Sequence, residues 1–232
     1  MSDGLTADDM TAMSHKLADS LGLPMEAQVE LAGYATAKAA LDMLGGDTKK
    51  QVVVLAGPGF TGASGLVAAN RLNAWGVAAT VILVVDRSEL KPLTASLADR
   101  LELANGHVYG PGAPLPLADL WIDALYGNRF HEPLGDELKS MIDAVNHDGK
   151  PILSVDVPTG LDATTGKATL PAIRATTTLA IGYPKIGLLK PYAKQLVGEL
   201  LVADVGIPPV AWRNYQLSAL PEFKGEAYIH WQ

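Results

Sequence analysis

The chain has no cysteine, which excludes disulfides and thiol catalysis and leaves a zinc site only His and carboxylate ligands. An excess of base is missing as well. Lys and Arg number 18 against 25 Asp and Glu, a net charge of −7 with no basic run, so no nucleic-acid partner is expected. No apolar stretch reaches the roughly 18 residues that a membrane span needs, so no membrane association is expected either. The opening MSDGLTADDM is acidic and polar, unlike a secretory leader, and a cytoplasmic location is the expectation. The five histidines, at 15, 107, 131, 147 and 230, have no ligand spacing, which argues against a transition-metal site. No repeats or low-complexity tracts occur.

What is present is an alternation of apolar runs and helical patterns over 232 residues, a length that suits one α/β domain or two small ones. The most informative stretch is Gln51–Val85, QVVVLAGPGFTGASGLVAANRLNAWGVAATVILVV. Val52–Ala56 is β-branched and apolar, as a strand buried on both faces requires. Gly57, Gly59, Gly62 and Gly65 follow, the first three in G-x-G-x-x-G spacing. A helical pattern then runs from about Ser64 to Trp75, Gly76 ends it, and Thr80–Val85 is a second strand closing on Asp86. Strand, glycine loop, helix and strand form a nucleotide-binding βαβ unit. Its helix N-terminus suits a phosphate, and Asp86 stands where a ribose-binding acid would, disfavouring a 2′-phosphate. Glycines after a strand also make plain tight turns, so the motif needs support from elsewhere. No Lys-Ser/Thr pair follows, so this is not a P-loop.

The rest of the chain supplies that context. Helices are predicted over residues 6–20 and Met25–Leu44; the methionines read as core filling, and Ala32, Gly33, Ala35, Ala37, Ala39 and Ala40 allow close packing. A helix over Ser88–Ala104 with Ser88 as cap, a strand at His107–Tyr109, a buried strand Leu117–Leu125 and a helix from Pro133 to Asn146 follow. Pro151–Val155, Thr176–Gly182 and Glu199–Ala203 are further strands. The pattern predicts a Rossmann-like three-layer αβα sandwich with a mostly parallel sheet. One domain is expected over 1–232: N-terminal helices to residue 46, an α/β core over 51–208, and an irregular tail over 209–232. The aromatic residues of that tail (Trp212, Phe223, Tyr228, Trp231) should pack on the body or on a second subunit.

Strand ends gather the chemistry. Gly57–Gly65, Asp123–Arg129 and Asp156–Gly160 can converge in the crevice beyond the carboxyl ends of a parallel sheet. Acids there often only cap the next turn, but Asp156 precedes Val-Pro-Thr-Gly, which shapes the loop and adds a hydroxyl. Lys185, in GYPKIGLLKP, is a fourth candidate, with a solvated lysine as the plain alternative. A serine hydrolase built on Ser64 lacks the G-x-S-x-G elbow.

Nearly the whole chain up to Pro208 resembles the NAD(P)H-hydrate epimerase family (YjeF N-terminal domain). The resembling segments are GLPMEAQVELAG, VVVLAGPGFTGASGLVAANRL, DLWIDALYGNRFHEPLG, PILSVDVPTGLDATTG, YPKIGLLKP and VADVGIPP. The resemblance implies a homodimer that interconverts the R and S forms of hydrated NAD(P)H, written NAD(P)HX, a separate dehydratase that repairs the S form, and a bound potassium ion. Carried over by position, Phe60, Thr61, Gly62, Ala63 and Ser64 would hold phosphates and ribose, with Gly57 and Gly59 also in the substrate site. Gly127, Asn128, Arg129, Phe130, His131, Glu132 and Pro133 would line the substrate, with Lys185 nearby. Asp156 would be the catalytic acid/base, and Thr61, Asp123 and Thr159 the side-chain ligands of potassium. The family loop reads N-N-G-G-D, where this chain has Phe60-Thr61-Gly62-Ala63-Ser64, losing two amides and a carboxylate. The alternative reading is therefore a non-catalytic nucleotide-binding or scaffold protein on the same fold.

Overall fold

Strand β1, Gln51–Ala56, has five of its six residues buried, because helices cover both faces of the sheet that it centres. Its side chains alternate between two cores, as the period of two demands. Val52, Val54 and Ala56 join one cluster with Leu66, Ala69 and Leu72. Val53 and Leu55 join the other with Trp121, Ile142 and Val145. The computed structural model describes residues 3–128 and 134–231.

In chain order the elements are α1 (Ala7–Ser20), α2 (Met25–Met43), β1, α3 (Phe60–Ala74), β2 (Ala78–Leu83), α4 (Pro92–Leu103), β3 (His107–Tyr109) and β4 (Leu120–Ala124). They continue with α5 (Asp136–His147), β5 (Ile152–Val155), β6 (Thr177–Ile181), α6 (Lys194–Val197), β7 (Glu199–Ala203) and β8 (Tyr228–His230). One eight-stranded sheet runs β3-β2-β1-β4-β5-β6-β7-β8, parallel throughout except for the antiparallel β7–β8 pair. The expected αβα architecture is what the chain adopts. Among the described residues no helix is long and apolar enough to cross a membrane.

Small residues set the depth of the packing. A Cβ on Gly33 of α2 would fall 2.4 Å from Val67 of α3, and one on Gly65 would fall 2.5 Å from Ala124 of β4. The two helices and the sheet therefore meet nearly backbone to backbone. Helix α1 opens with a reciprocal cap between Thr6 and Asp9 and buries Met10, Met13 and Leu17 against Tyr183 and Trp212.

Several boundaries differ from the sequence reading. Helix α3 starts at Phe60 rather than Ser64, so Gly62 and Gly65 are helical residues chosen for close approach rather than loop residues. The helix expected from Ser88 begins only at Pro92. Arg87–Glu89 is a separate 3-10 turn capped by Asp86, not by Ser88. Proline explains this, since it holds the preceding Lys91 extended and itself fits the first helical turn. Helix α5 begins at Asp136 among the described residues; Pro133, where the sequence reading started it, lies outside them. The tail is more ordered than expected. It forms β8 and seats Trp212 and Trp231 at 5.4 and 5.2 Å from the fully buried Tyr183 ring.

Candidate active site

Strand order reverses between β1 and β4: the chain proceeds from β1 to β2 and β3 on one side, and from β4 onward on the other. Loops leaving such a switch point diverge and open a crevice beyond the strand ends. A cavity of about 260 Å³ lies there. Its floor comes from the loops after β1, β4, β5 and β6, and α1 and α2 roof it with Met10, Met25, Gln28 and Val29.

Asp156 follows β5 directly and takes a left-handed backbone, φ 72°, an uncommon conformation that aspartate tolerates better than most residues. Its amide donates to Leu179 O at 2.8 Å, which holds the turn. Oδ1 pairs with the Lys185 ammonium and accepts from Ile181 N at 3.3 Å. Oδ2 accepts from Asn128 N at 3.0 Å. Asp156 is 5% exposed and Lys185 1%, so this is a buried ion pair whose carboxylate edge reaches the cavity. Lys185 also donates to Ile181 O at 2.9 Å. It is the counter-ion of Asp156 and, like it, lines the cavity.

Asp123, at the end of β4, is also buried but serves differently. Oδ2 accepts from Ser154 Oγ (2.8 Å) and Thr159 N (2.9 Å), and Oδ1 accepts from Thr159 Oγ1 (2.7 Å) and Leu125 N (3.3 Å). Burial pushes its carboxyl up from the ordinary value, against the pull of the bonds from Thr159, Ser154 and Leu125. Asp123 ties the ends of β4 and β5 together beneath the cavity. Replacing it by alanine would strand several buried donors, and we expect a loss of ~3 kcal/mol, read as a lowered urea midpoint.

The glycine loop shows a division of labour. A Cβ on Gly57 would fall 1.8 Å from Leu125 O, and one on Gly62 would fall 1.9 Å from Gly57 O. These two glycines, with the buried Ala63, build the turn and do not line the cavity. Gly59, Phe60, Thr61 and Ser64 do line it. Ser64 Oγ donates to Phe60 O at 3.1 Å within the helix. Gly127 and Asn128 form part of the opposite wall. Arg129, Phe130, His131, Glu132 and Pro133 lie outside the described residues.

The residues carried over for potassium stand in two settings. Thr61 stands on the cavity wall, whereas Asp123 and Thr159 are 1% exposed and bonded to each other. Thr159 Oγ1 also accepts from Tyr126 N at 3.3 Å. Among the described residues no cluster of three or more His, Asp or Glu could hold a metal.

Two contributions were missed from sequence. Met10 and Met25 line the cavity as well as filling core, because α1 and α2 fold over the strand ends. Lys91 also lines it, with its ammonium 5.1 Å from the centre of the Phe60 ring; the Lys-Pro that starts α4 was the signal for its placement. Asp86 does not line the cavity and is spent on its capping turn.

The family model for the YjeF-related protein N-terminus matches residues 26–187, a span that holds the glycine loop, Asp123, Asp156 and Lys185. The chain belongs to this family. Other YjeF N-terminal proteins resemble it at length. It is 35% identical to an NAD(P)H-hydrate epimerase of Leuconostoc mesenteroides, over 88% of this chain and 90% of that one. It is 30% identical to a bifunctional NAD(P)H-hydrate repair enzyme of Thermofilum pendens, over 86% of this chain but 39% of that longer protein. The crystal structure of yeast ynu0, YNL200c, superposes with a TM-score of 0.87 at 23% identity, covering 99% of this chain and 100% of that one. This last likeness shows that the two chains share one fold.

Proposed function

We propose that the chain is an NAD(P)H-hydrate epimerase that interconverts the R and S forms of NAD(P)HX, with Asp156 as its proton-transfer group. The supporting observation is the carboxylate of Asp156, fixed on one side by Lys185 and open on the other to the cavity, in a family whose relatives carry that activity in their names. Hydration of a dihydropyridine ring places the added hydroxyl on a carbon bonded to the ring nitrogen. Asp156 Oδ2 accepts the hydroxyl proton. The oxygen–carbon pair becomes a carbonyl while the carbon–nitrogen bond opens, and its electrons pass to the nitrogen and its conjugated carboxamide. Closure on the opposite face reverses each move, and Asp156 returns the proton. Atoms and charge balance without an oxidant. The buried Lys185 holds Asp156 in one rotamer, so the base is aligned before substrate arrives.

The phosphates and ribose belong on Gly59, Phe60, Thr61 and Ser64, which line the cavity at the N-terminus of α3. A separate dehydratase acts on the S product, in keeping with relatives that join both repair steps in one longer chain. The protein works as a homodimer in the cytoplasm.

The test is incubation of the purified protein with R-NADHX, with and without potassium, followed by chromatography for the S epimer. Acceleration over the spontaneous rate is expected. Absence of acceleration, with NAD(P) derivatives still binding, would replace this reading with that of a non-catalytic nucleotide-binding protein, for which the altered Phe60–Ser64 loop is the specific observation.

A further inference from the structure

We infer that Lys91 binds a phosphoryl group of the dinucleotide substrate through its ammonium, an ionic contact from outside the glycine loop; this rests on the nucleotide substrate proposed above. Lys91 is exposed and reaches the cavity wall from the start of α4. Two hydrogen bonds bolt that start to the glycine loop. Lys91 N donates to Pro58 O at 3.1 Å, and the buried Thr94 hydroxyl donates to Gly59 O at 3.0 Å. The ammonium stands 5.1 Å from the centre of the Phe60 ring, and Phe60 opens α3. A cation is thus set beside the helix turn that receives the phosphates.

The charges around the cavity favour an anion at this point. Of its lining residues, Asp156, Lys185 and Lys91 are the carboxylate and the two long-chain bases. Asp156 and Lys185 pair with each other, which leaves the charge of Lys91 uncompensated. Arg87, four residues earlier, is held by Asp99 and Glu102, whereas Lys91 forms no ion pair among the described residues. Asp86 is spent on its capping turn and does not line the cavity, so it does not oppose an anion there. In a protein of net charge −7, a local cation also offsets the general repulsion of a negatively charged substrate.

The Phe60 ring orients the ammonium without consuming it. A cation–π contact at an exposed site is weaker than a charge-assisted bond to a phosphate oxygen, so an arriving phosphate draws the ammonium from the ring. Lys91 caps α4 without a side-chain hydrogen bond, and its side chain is therefore replaceable without loss of the cap.

The experiment measures binding of ADP-ribose and 2′-phospho-ADP-ribose to the wild type, Lys91→Met and Lys91→Arg by calorimetry at several salt concentrations. Thermal unfolding and R-NADHX epimerisation are followed on the same preparations. Lys91→Met should unfold at the wild-type temperature, bind ADP-ribose ~10-fold more weakly and show a shallower salt dependence. Lys91→Arg, which keeps the charge, should recover most of the affinity. In epimerisation the loss should fall on KM and spare kcat, as for a contact made equally to substrate and transition state. A similar loss for both ligands would identify the pyrophosphate as the group held, and a larger loss for 2′-phospho-ADP-ribose the ribose phosphate. Wild-type affinity for both ligands in Lys91→Met would overturn the proposal, as would a loss with unchanged salt dependence or a wild type that binds neither ligand. A wild type that binds them through Lys91 but gives no acceleration would remove the epimerase reading alone.

Discussion

Asparagine in place of Asp156 is expected to lower epimerisation by at least ~10²-fold, the contribution typical of a positioned acid/base group. Asparagine suits the comparison because it tolerates the φ of 72° found there and can still accept from Asn128 N. It cannot hold a proton in transit, and it removes the charge that faces Lys185. Breaking one half of a buried pair costs about 3–5 kcal/mol, because the remaining charge is stranded. Asp156→Asn should therefore also be less stable. The double variant Asp156→Asn with Lys185→Met separates the two effects. It should regain much of the stability by removing the stranded ammonium, and regain none of the turnover. Denaturant midpoints and initial rates, measured on the same preparations, read both. Turnover at the wild-type level in Asp156→Asn would refute the assignment of this carboxylate.

The second large effect concerns the glycine loop. Gly62 sits inside α3, where alanine is ordinarily favoured by about 1 kcal/mol. Here the sign should reverse. The new Cβ would stand 1.9 Å from Gly57 O and 2.8 Å from Gly57 C, and these are backbone atoms that cannot swing aside. Gly57 cannot yield either, since it is pressed against Leu125 O. Gly62→Ala should cost about 1–3 kcal/mol, as overpacking does, and shift the first turn of α3 so that nucleotide affinity falls. Gly59→Ala is the control. Its φ of −97° is ordinary and nothing lies within 4 Å of its Cβ position, so stability should hold. Urea titration of both variants, with NAD+ binding of Gly62→Ala, checks this. Equal stability would mean that close approach is not the reason for glycine at 62.

Particular residues mark how far the sequence could be read. The β-branched runs at Val52–Ala56 and Ile152–Val155 revealed buried parallel strands, because covering helices on both faces leave no room for polar alternation. Asp123 and Asp156, both at strand ends, were visible as one type of residue in one type of place. Their difference was not. Asp123 is consumed by Ser154, Thr159 and Leu125, whereas Asp156 keeps an edge free. Those partners lie up to 36 residues away, and no spacing rule encodes them. The loop of Lys185 marked it as a candidate, but only the fold shows it buried against Asp156.

The sequence by itself determined the parallel αβα fold, the family and the segments that supply the crevice, because local periodicity, glycine placement and ordered motifs are properties of the chain alone. Tertiary structure alone decided which strand-end acid is open and that α1 and α2 roof the cavity. These outcomes depend on burial and on distances between remote segments, which exist only once the sheet has set its strand order.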